Sequence, residues 1–359
     1  MRMPIVPNIP ELRIIDQILT CGPSISYIRL LFSHGILRSR AKTSPRLGHF
    51  VYQRLLMVVG LLLSASACSG CVSTLGGIIV AAPNVHKPQM LKSEDGRPLP
   101  ESLLGVDDYF RVRVGPPAAS LSVSVLEPHD AEEPPRGTIL VLHGMGARSA
   151  WMHGKADALA AHGYRAVLVD LRGHGASSGS LLTYGLREAR DLSYVVDELE
   201  ARNLLSGRLG VMGISYGAAS GLHLAAIDRR VAAVVAIAPF SDMRSEVSHY
   251  VRTIGLPGVG PFLAEETIQD AVDEAGEIGG FDPDRADAAL AMRQTNAAVL
   301  LIHGRADLII PDEHSQRLHE AAPDRSELML LPASGHVTIW VDPLRRVRRA
   351  SLRWFDEHL

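Results

Sequence analysis

The pentapeptide Gly213-Ile214-Ser215-Tyr216-Gly217 constrains this chain more than any other segment. It follows an apolar run, residues 209–212, and precedes a helical pattern over residues 218–228. A serine between two glycines at a sharp strand-to-helix turn sits on strained backbone, with its hydroxyl exposed at the edge of a sheet. The same turn aims the first amides of the helix at that hydroxyl, where negative charge can be held. The pattern predicts that Ser215 is a nucleophile.

Apolar runs and helical patterns alternate along most of the chain. Residues 109–114 and 121–126 alternate in polarity around Gly115-Pro116-Pro117 and predict an opening antiparallel hairpin. Continuous apolar runs are typical of parallel strands covered on both faces. They lie at residues 138–142, 166–171, 209–212, 231–238, 298–303 and 328–331. Helical patterns separate them at residues 151–162, 186–201, 215–227 and 313–321. This order predicts an α/β fold with a doubly wound, mostly parallel sheet.

A serine hydroxyl needs a neighbouring base to become a good nucleophile, and the base needs an acid to orient it. For a serine at this kind of turn, the acid and then the base are expected further along the chain. Asp307 follows the apolar strand that ends at His303-Gly304, and His336 lies in the loop after strand 328–331. Parallel strands of such sheets place their chemistry at one edge, so Ser215, Asp307 and His336 are expected to meet there.

A second turn is expected beside the serine. His143-Gly144-Met145-Gly146 directly follows the apolar strand 138–142. The backbone N–H groups of Met145 and Tyr216 are predicted to form an oxyanion hole. Losing one such donor typically costs about 2.7–4 kcal/mol of barrier lowering.

Five motifs in this order resemble the α/β-hydrolases of the serine esterase, lipase and aminopeptidase-like kind. They are His143 to Gly146, Asp170-Leu171-Arg172-Gly173-His174-Gly175, Gly213 to Gly217, His303 to Asp307, and Gly335-His336. The resemblance covers residues 106–359, a size that one α/β domain can have. It implies an α/β-hydrolase fold with a small helical cap, residues 241–296, inserted after the sixth strand.

The resemblance also implies an activity. It is hydrolysis of a small-molecule ester or short acyl substrate through an acyl-enzyme, with Ser215 as nucleophile, His336 as base and Asp307 as orienting acid. No cofactor and no metal are expected. Peptide or amide cleavage stays open, because Ser215-Tyr216-Gly217 also occurs in oligopeptidase and aminopeptidase relatives. Thioester hydrolysis is a third possibility, and a non-catalytic binding lipoprotein is an alternative of another class.

Other residues compete for two of these roles. Ser215 could be an ordinary helix N-cap, a position where serine is favoured. Asp307 could be only a turn residue. Asp242 follows strand 231–238 and is a rival acid, because some members of this fold place the acid there.

The remaining histidines and tryptophans have structural interpretations. His143 and His174 precede Ser215 in the chain and lie within turn motifs, and His303 is expected to fix the loop that carries Asp307. The segment 170–175 is interpreted as a scaffold turn. Trp151 and Trp340 are interpreted as packing residues.

Composition excludes several other chemistries. The chain has 36 Lys and Arg against 39 Asp and Glu, so no charge bias indicates nucleic acid binding. A local basic run, residues 345–349, is interpreted as the solvated face of a last helix over residues 343–358. All 3 cysteines precede the hydrolase region, which excludes a thiolate nucleophile, a disulfide framework or a cysteine metal cluster there. No H-E-x-x-H pattern supports a zinc hydrolase.

The front of the chain carries the signals of an export segment. Residues 51–67 combine a short basic start, an apolar core and small residues, and are predicted to be a signal peptide. Cys68 follows as a lipidation candidate that resembles a bacterial lipobox, although Ala65 stands where that pattern prefers Leu; Cys71 is a second candidate. The uncharged run 55–82 could instead be an uncleaved anchor, or the signal peptide could be cut without lipidation.

All three alternatives for the N-terminal segment (lipidation after cleavage, an uncleaved anchor, or cleavage without lipidation) place the enzyme domain outside the cytoplasm. The expected location is the periplasm or the cell surface, with membrane anchoring through the N-terminal segment. We expect residues 68–105 to form a tether. Residues 1–50 are expected to be either an extension upstream of a true start near Val51 or a disordered segment.

Overall fold

The computed structural model describes residues 69–86, 105–130, 132–256 and 258–359. Its centre is an eight-stranded sheet in the order β1-β2-β4-β3-β5-β6-β7-β8. β1 pairs antiparallel with β2, β2 pairs antiparallel with β4, and all other neighbours are parallel. The strands are β1 Asp108–Val114, β2 Ala119–Leu126, β3 Gly137–Leu142, β4 Arg165–Asp170, β5 Arg208–Ile214, β6 Val231–Ile237, β7 Ala298–Gly304 and β8 Ser326–Leu331. The predicted hairpin and doubly wound, mostly parallel sheet are confirmed.

Helices follow the strands in the expected alternation. They are α1 Ser69–Val80, α2 His153–Ala160, α3 Leu186–Ala201, α4 Tyr216–Ile227, α5 Met243–Tyr250, α6 Glu265–Gly279, α7 Ala288–Gln294, α8 Glu313–Ala321, α9 His336–Val341 and α10 Arg346–His358. α5, α6 and α7 lie between β6 and β7, within the segment where a cap is expected after the sixth strand. That this segment acts as a cap stays a prediction.

Both faces of the sheet are buried. Along β4, Val167 and Val169 belong to one hydrophobic cluster, whereas Ala166 and Leu168 belong to the other. The first cluster includes side chains of α1 and of α3 to α8, and the second includes side chains of α2, α9 and α10. Because successive strand residues point to opposite faces, covering both faces requires the continuous apolar runs seen in the sequence.

Residues 69–86, the described part of the segment expected to be a tether, are folded and packed. Residues 69–86 form α1 and a short 3₁₀ turn, Pro83–His86, and α1 packs on α6. Ile79, Val80 and Ala82 are buried in the first cluster. The Leu182 N–H donates to the Val80 carbonyl at 2.9 Å, and the Tyr184 hydroxyl donates to the Ile79 carbonyl at 3.0 Å. An uncharged apolar segment buries area when it packs on a domain, so these residues belong to the same domain as the sheet.

Several expectations fall outside the described residues. These are the extension 1–50, the signal peptide 51–67, the lipidation candidate Cys68, and residues 87–104 of the expected tether. Cys71 lies in the first turn of α1. In the part of the chain that the structure describes, no helix has the length and apolar character needed to cross a membrane.

Candidate active site

Ser215 sits on the strained turn that its motif predicts. β5 ends at Ile214 and α4 begins at Tyr216, so Ser215 alone makes the turn, with φ 55° and ψ −119°. A non-glycine residue at positive φ is uncommon and costs on the order of 1–3 kcal/mol. Ser215 occupies the N-cap position of α4, and its carbonyl accepts the Ala219 N–H at 3.1 Å. Its side chain makes no capping hydrogen bond, so capping does not explain a serine at this position.

The two glycines of the motif are required by close backbone contacts. A Cβ at Gly213 would collide with the Gly217 carbonyl, and a Cβ at Gly217 would collide with the His143 carbonyl. The turn therefore brings the first turn of α4 directly against β5 and against the end of β3. This crowding holds Ser215 in its unusual backbone conformation.

The turn after β3 lies beside the serine, as predicted. Leu142 pairs with Gly213, so the ends of β3 and β5 are neighbours. A Cβ built on Gly144 would lie 3.9 Å from Ser215 Oγ. Within the described residues, the N–H groups of Met145 and Tyr216 donate to no acceptor, and Tyr216 is the first residue of its helix. Both N–H groups are therefore available to a ligand.

Asp307 and His336 are in direct contact. His336, the first residue of α9, donates from Nδ1 to Asp307 Oδ2 at 2.7 Å. Asp307 Oδ1 accepts the N–H groups of Ile309 and Ile310, each at 2.9 Å. A carboxylate only accepts hydrogen bonds, so Nδ1 carries a proton, and Nε2 is the ring nitrogen that can act as a base.

Asp307 is ionised despite its burial. Burial alone would raise its pKa, but the imidazoles of His303 and His336 and the N–H of Ile310 outweigh it and hold the pKa well below its usual range. His303 Nε2 lies 3.5 Å from Asp307 Oδ2 and 2.9 Å from the Ile310 carbonyl, and its Nδ1 lies 2.6 Å from Ser315 Oγ. His303 therefore fixes the Asp307 loop, as expected.

Ser215 is not hydrogen-bonded to the Asp307–His336 pair in the structure as described. Within the described residues, no hydrogen bond links Ser215 Oγ to His336 Nε2. In ligand-free sites such bonds are often long and tighten only when substrate is bound. The structure thus brings Asp307 to His336, and Ser215 to the turn after β3, while the catalytic role of the three residues stays a prediction.

The rival acid has a different task. Asp242 is the N-cap of α5 and accepts the Ser245 N–H at 2.8 Å. It also accepts the hydroxyls of Ser245 at 2.6 Å and Ser241 at 2.8 Å. These donors occupy its carboxylate, whereas the contact to His336 comes from Asp307. The geometry therefore favours Asp307 as the acid.

The rival histidines belong to the scaffold. His143 donates from Nδ1 to the Gly144 carbonyl at 2.8 Å and accepts the Leu171 N–H at Nε2 at 3.0 Å. Its ring centroid lies 4.9 Å from that of His174. Burial lowers the pKa of both rings to about 4, so both are neutral near pH 7. The segment that contains His174 is a scaffold turn, since the Asp170 carboxylate accepts the N–H groups of Ser149 and Ala176.

A buried carboxyl near Asp307 was not expected from the sequence. Glu246 is 8 % exposed, and its Oε2 has no hydrogen-bond partner among the described residues. It lies 3.5 Å from Nε2 of the buried His314. Burial, with the charges of Asp307 and Asp242, raises the pKa of Glu246 to about 9. The available signal was the helical spacing that puts residue 246 beside two apolar positions, Met243 and Val247.

No group of three or more His, Cys, Asp or Glu side chains within the described residues is placed to hold a metal ion. The expectation that neither metal nor cofactor takes part stays a prediction.

Similarity to known proteins agrees with this architecture. Residues 118–278 match the model of the X-Pro dipeptidyl-peptidase (S15) family. The uncharacterised protein YqkD of Bacillus subtilis is 25% identical over 235 residues, which cover 64% of this chain and 73% of that protein. Among solved structures, the Pyrococcus furiosus esterase Pf2001 superposes with a TM-score of 0.55 at 24% identity, covering 70% of this chain and 91% of that one. The Pyrococcus horikoshii acylaminoacyl peptidase superposes with a TM-score of 0.53 at 18% identity, covering 72% of this chain and 43% of that one.

The sheet order, the turn at Ser215 and these likenesses define one class. The chain has the α/β-hydrolase fold.

Proposed function

We propose that this chain is a serine hydrolase that cleaves carboxylic esters through an acyl-enzyme. The observation that carries the proposal is the 2.7 Å hydrogen bond between Asp307 and His336, at the same sheet edge as the strained turn of Ser215. That bond leaves His336 Nε2 as the free base, and only a neighbouring hydroxyl is then needed for nucleophilic attack.

The reaction has two halves. Ser215 Oγ bonds to the acyl carbon while its proton passes to His336 Nε2, and Asp307 stabilises the resulting imidazolium. The N–H groups of Met145 and Tyr216 hold the negative charge that develops on the carbonyl oxygen. The ester oxygen leaves with the proton from His336. Water then gives a proton to His336 and its oxygen to the acyl carbon. His336 returns that proton to Ser215 Oγ as the C–O bond to Ser215 breaks, which releases the carboxylic acid and restores the free enzyme.

Amide cleavage is the second candidate because two likenesses favour it. The matching family model is named for X-Pro dipeptidyl-peptidases, and one structural neighbour is an acylaminoacyl peptidase. We favour esters because this chain covers 91% of the esterase Pf2001 but only 43% of that peptidase. Thioesters remain a third candidate, and fold alone does not separate the three.

A substrate panel tests the choice. The purified chain is assayed with p-nitrophenyl esters of graded acyl length, an acyl thioester, aminoacyl p-nitroanilides and Gly-Pro p-nitroanilide. We expect the highest kcat/KM for an ester. A higher value for Gly-Pro p-nitroanilide would replace the esterase proposal with a peptidase, and a higher value for the acyl thioester would replace it with a thioesterase.

The catalytic serine is tested separately. A fluorophosphonate probe is expected to label the wild-type chain and the Ser220→Ala control, but not Ser215→Ala. Ser220 lies on α4, and its hydroxyl donates to the Tyr216 carbonyl at 2.8 Å. Equal labelling of all three proteins, or no labelling of the wild type, would favour a non-catalytic binding protein.

We further propose that residues 51–67 direct export and that Cys68 carries a lipid, which places the enzyme outside the cytoplasm at a membrane surface. Support comes from the uncharged apolar run and the small residues before Cys68. Metabolic labelling with an alkyne fatty acid is expected to tag the wild type and Cys71→Ser but not Cys68→Ser. Labelling that survives Cys68→Ser would overturn the assignment to Cys68.

A further inference from the structure

A cavity lies on the face of the sheet that α2, α9 and α10 cover. It has a volume of about 390 Å³ and lies between α2, α9 and α10. Small-molecule sites in proteins typically enclose about 300–1,000 Å³. None of the three candidate catalytic side chains lines it. We call it the α2–α10 cavity.

The body of the cavity is apolar. Its walls include Trp151, Trp340, Leu159, Met212 and Leu352. The two indole rings are 6.0 Å apart at an interplanar angle of 35°. Trp151 is 51% exposed, which is more than its interpretation as a packing residue predicts. A large aromatic wall left partly open is typical of a place where an apolar ligand can bury area.

The charged groups at the cavity are mostly cationic. Lys155, Arg345 and Arg348 line it, together with one carboxylate, Asp342. The ammonium of Lys155 donates to the Trp340 carbonyl at 2.8 Å, which leaves two of its three N–H donors. Among the described residues, neither guanidinium forms an ion pair.

The carboxylate of Asp342 is already occupied. Oδ1 accepts the Arg346 N–H at 2.7 Å and the Val347 N–H at 3.2 Å, and Oδ2 accepts the Arg348 N–H at 2.9 Å. These donors are the otherwise unpaired amides at the start of α10. Three cationic side chains against this one carboxylate give the cavity an excess of positive charge next to an apolar wall.

We propose that the α2–α10 cavity binds a small organic carboxylate with an apolar body. The apolar part lies against Trp151 and Trp340, and the carboxylate faces Lys155 and the two arginines. Guanidinium groups match a planar carboxylate with two parallel hydrogen bonds, which favours this anion. The site does not depend on the proposed ester hydrolysis.

The test uses 3-phenylpropanoate as the ligand and 3-phenylpropanamide as its neutral analogue. Binding to the full chain carrying Ser215→Ala is measured by calorimetry, and by the fluorescence of tryptophan excited at its red edge. Two of the chain's 3 tryptophans line the cavity, so saturable quenching is expected. The carboxylate is expected to bind at least about tenfold more tightly than the amide, because charge-assisted hydrogen bonds are about twice as strong as neutral ones.

Substitutions at and near the α2–α10 cavity test whether 3-phenylpropanoate binds there. Arg345→Ala and Arg348→Ala are each expected to weaken it about threefold, the usual effect of losing an exposed ion pair. Arg353→Ala is the matched control, because Arg353 lies on the same helix but does not line the cavity. Gly154→Met is expected to abolish binding, since a Cβ at Gly154 meets no atom within 4 Å and the longer side chain can fill the space.

Several results would overturn the proposal. They are absence of saturable binding of 3-phenylpropanoate, equal affinity for the amide, or unchanged affinity in Gly154→Met with an unchanged Tm. An Arg353→Ala effect as large as those of Arg345→Ala and Arg348→Ala would show general charge attraction instead of a site.

Discussion

The buried carboxyl of Glu246 predicts an unusual dependence of stability on pH. A glutamate in an unfolded chain has a pKa of about 4.5, and in the folded protein burial and the charges of Asp307 and Asp242 raise it to about 9. Between these values the folded state holds one proton that the unfolded state has lost. Its contribution to stability is fully present below pH 4.5 and is lost as the pH rises towards 9.

The size of this pH effect on stability follows from the number of pH units between the two pKa values of Glu246. One proton taken up on folding changes the unfolding free energy by about 1.4 kcal/mol per pH unit. Between about pH 5 and about pH 8, both inside the interval, Glu246 therefore lowers the stability of the wild type by about 4 kcal/mol. Gln at this position cannot ionise and has the shape of the protonated carboxyl. The stability of Glu246→Gln relative to the wild type is expected to rise by that amount over the same range.

Urea unfolding followed by circular dichroism, at pH steps across that range, measures the difference. Other groups titrate equally in both proteins and cancel in it. Glu320→Gln, at an exposed glutamate on α8, is the matched control for the loss of a carboxyl group. A pH-independent difference for Glu246→Gln would refute the reasoning, since Glu246 would then be ionised in the folded state.

Three further predictions concern the candidate active site and its scaffold. Asp307→Asn is expected to lower kcat for an ester substrate about 10⁴-fold, because an amide N–H facing Nδ1 selects the wrong tautomer of His336. A stopped ester assay measures kcat, and a loss under tenfold would contradict the role of Asp307 as the orienting acid. Gly217→Ala is expected to lower Tm and abolish fluorophosphonate labelling, because its Cβ collides with a backbone carbonyl. Val80→Ala is expected to lower the free energy of unfolding in urea by about 1–3 kcal/mol, because Val80 is fully buried. Ile78→Ala is the control and is expected to lower it by under about 0.5 kcal/mol, because Ile78 is 48% exposed. Equal losses for the two variants would place α1 outside the core.

Local patterns were sufficient to predict much of the sheet edge. The spacing of Gly213, Ser215 and Gly217 predicts the turn, because each glycine is required by a close contact that leaves no room for a Cβ. These contacts are with residues a few positions away or with the end of the adjoining strand. The apolar runs predict the strands because a sheet covered on both faces leaves no polar position along them.

The choice of acid needed three-dimensional contacts. Asp242 and Asp307 both follow a strand, and aspartate is common at turns. What separates them is the donors each one receives, namely Ser241 and Ser245 for Asp242, and His336 for Asp307. His336 lies 29 residues beyond Asp307, and no local pattern contains that contact.

The role of α1 was missed for a similar reason. An uncharged apolar segment after a leader-like run has the same composition whether it forms a linker or packs on a domain. The deciding contacts are distant in sequence, such as the 2.8 Å hydrogen bond from the Ser73 hydroxyl to Glu274, 201 residues away. Gly76 lies against the same glutamate, where a Cβ would be 2.8 Å from its Cγ.

Two buried carboxyls near the candidate active site have opposite pKa shifts, and the donors around them explain why. Asp307 receives two backbone N–H groups and the imidazole of His336, so its charged form is stabilised despite burial. Glu246 has an unpartnered oxygen among the described residues and faces the negative charge of Asp307, so it keeps its proton. Of these two carboxyls, only Asp307, which touches His336, is therefore charged at neutral pH. In the proposed reaction the charge of Asp307 stabilises the imidazolium formed on His336, while the protonated Glu246 adds no second buried charge that the fold would have to solvate.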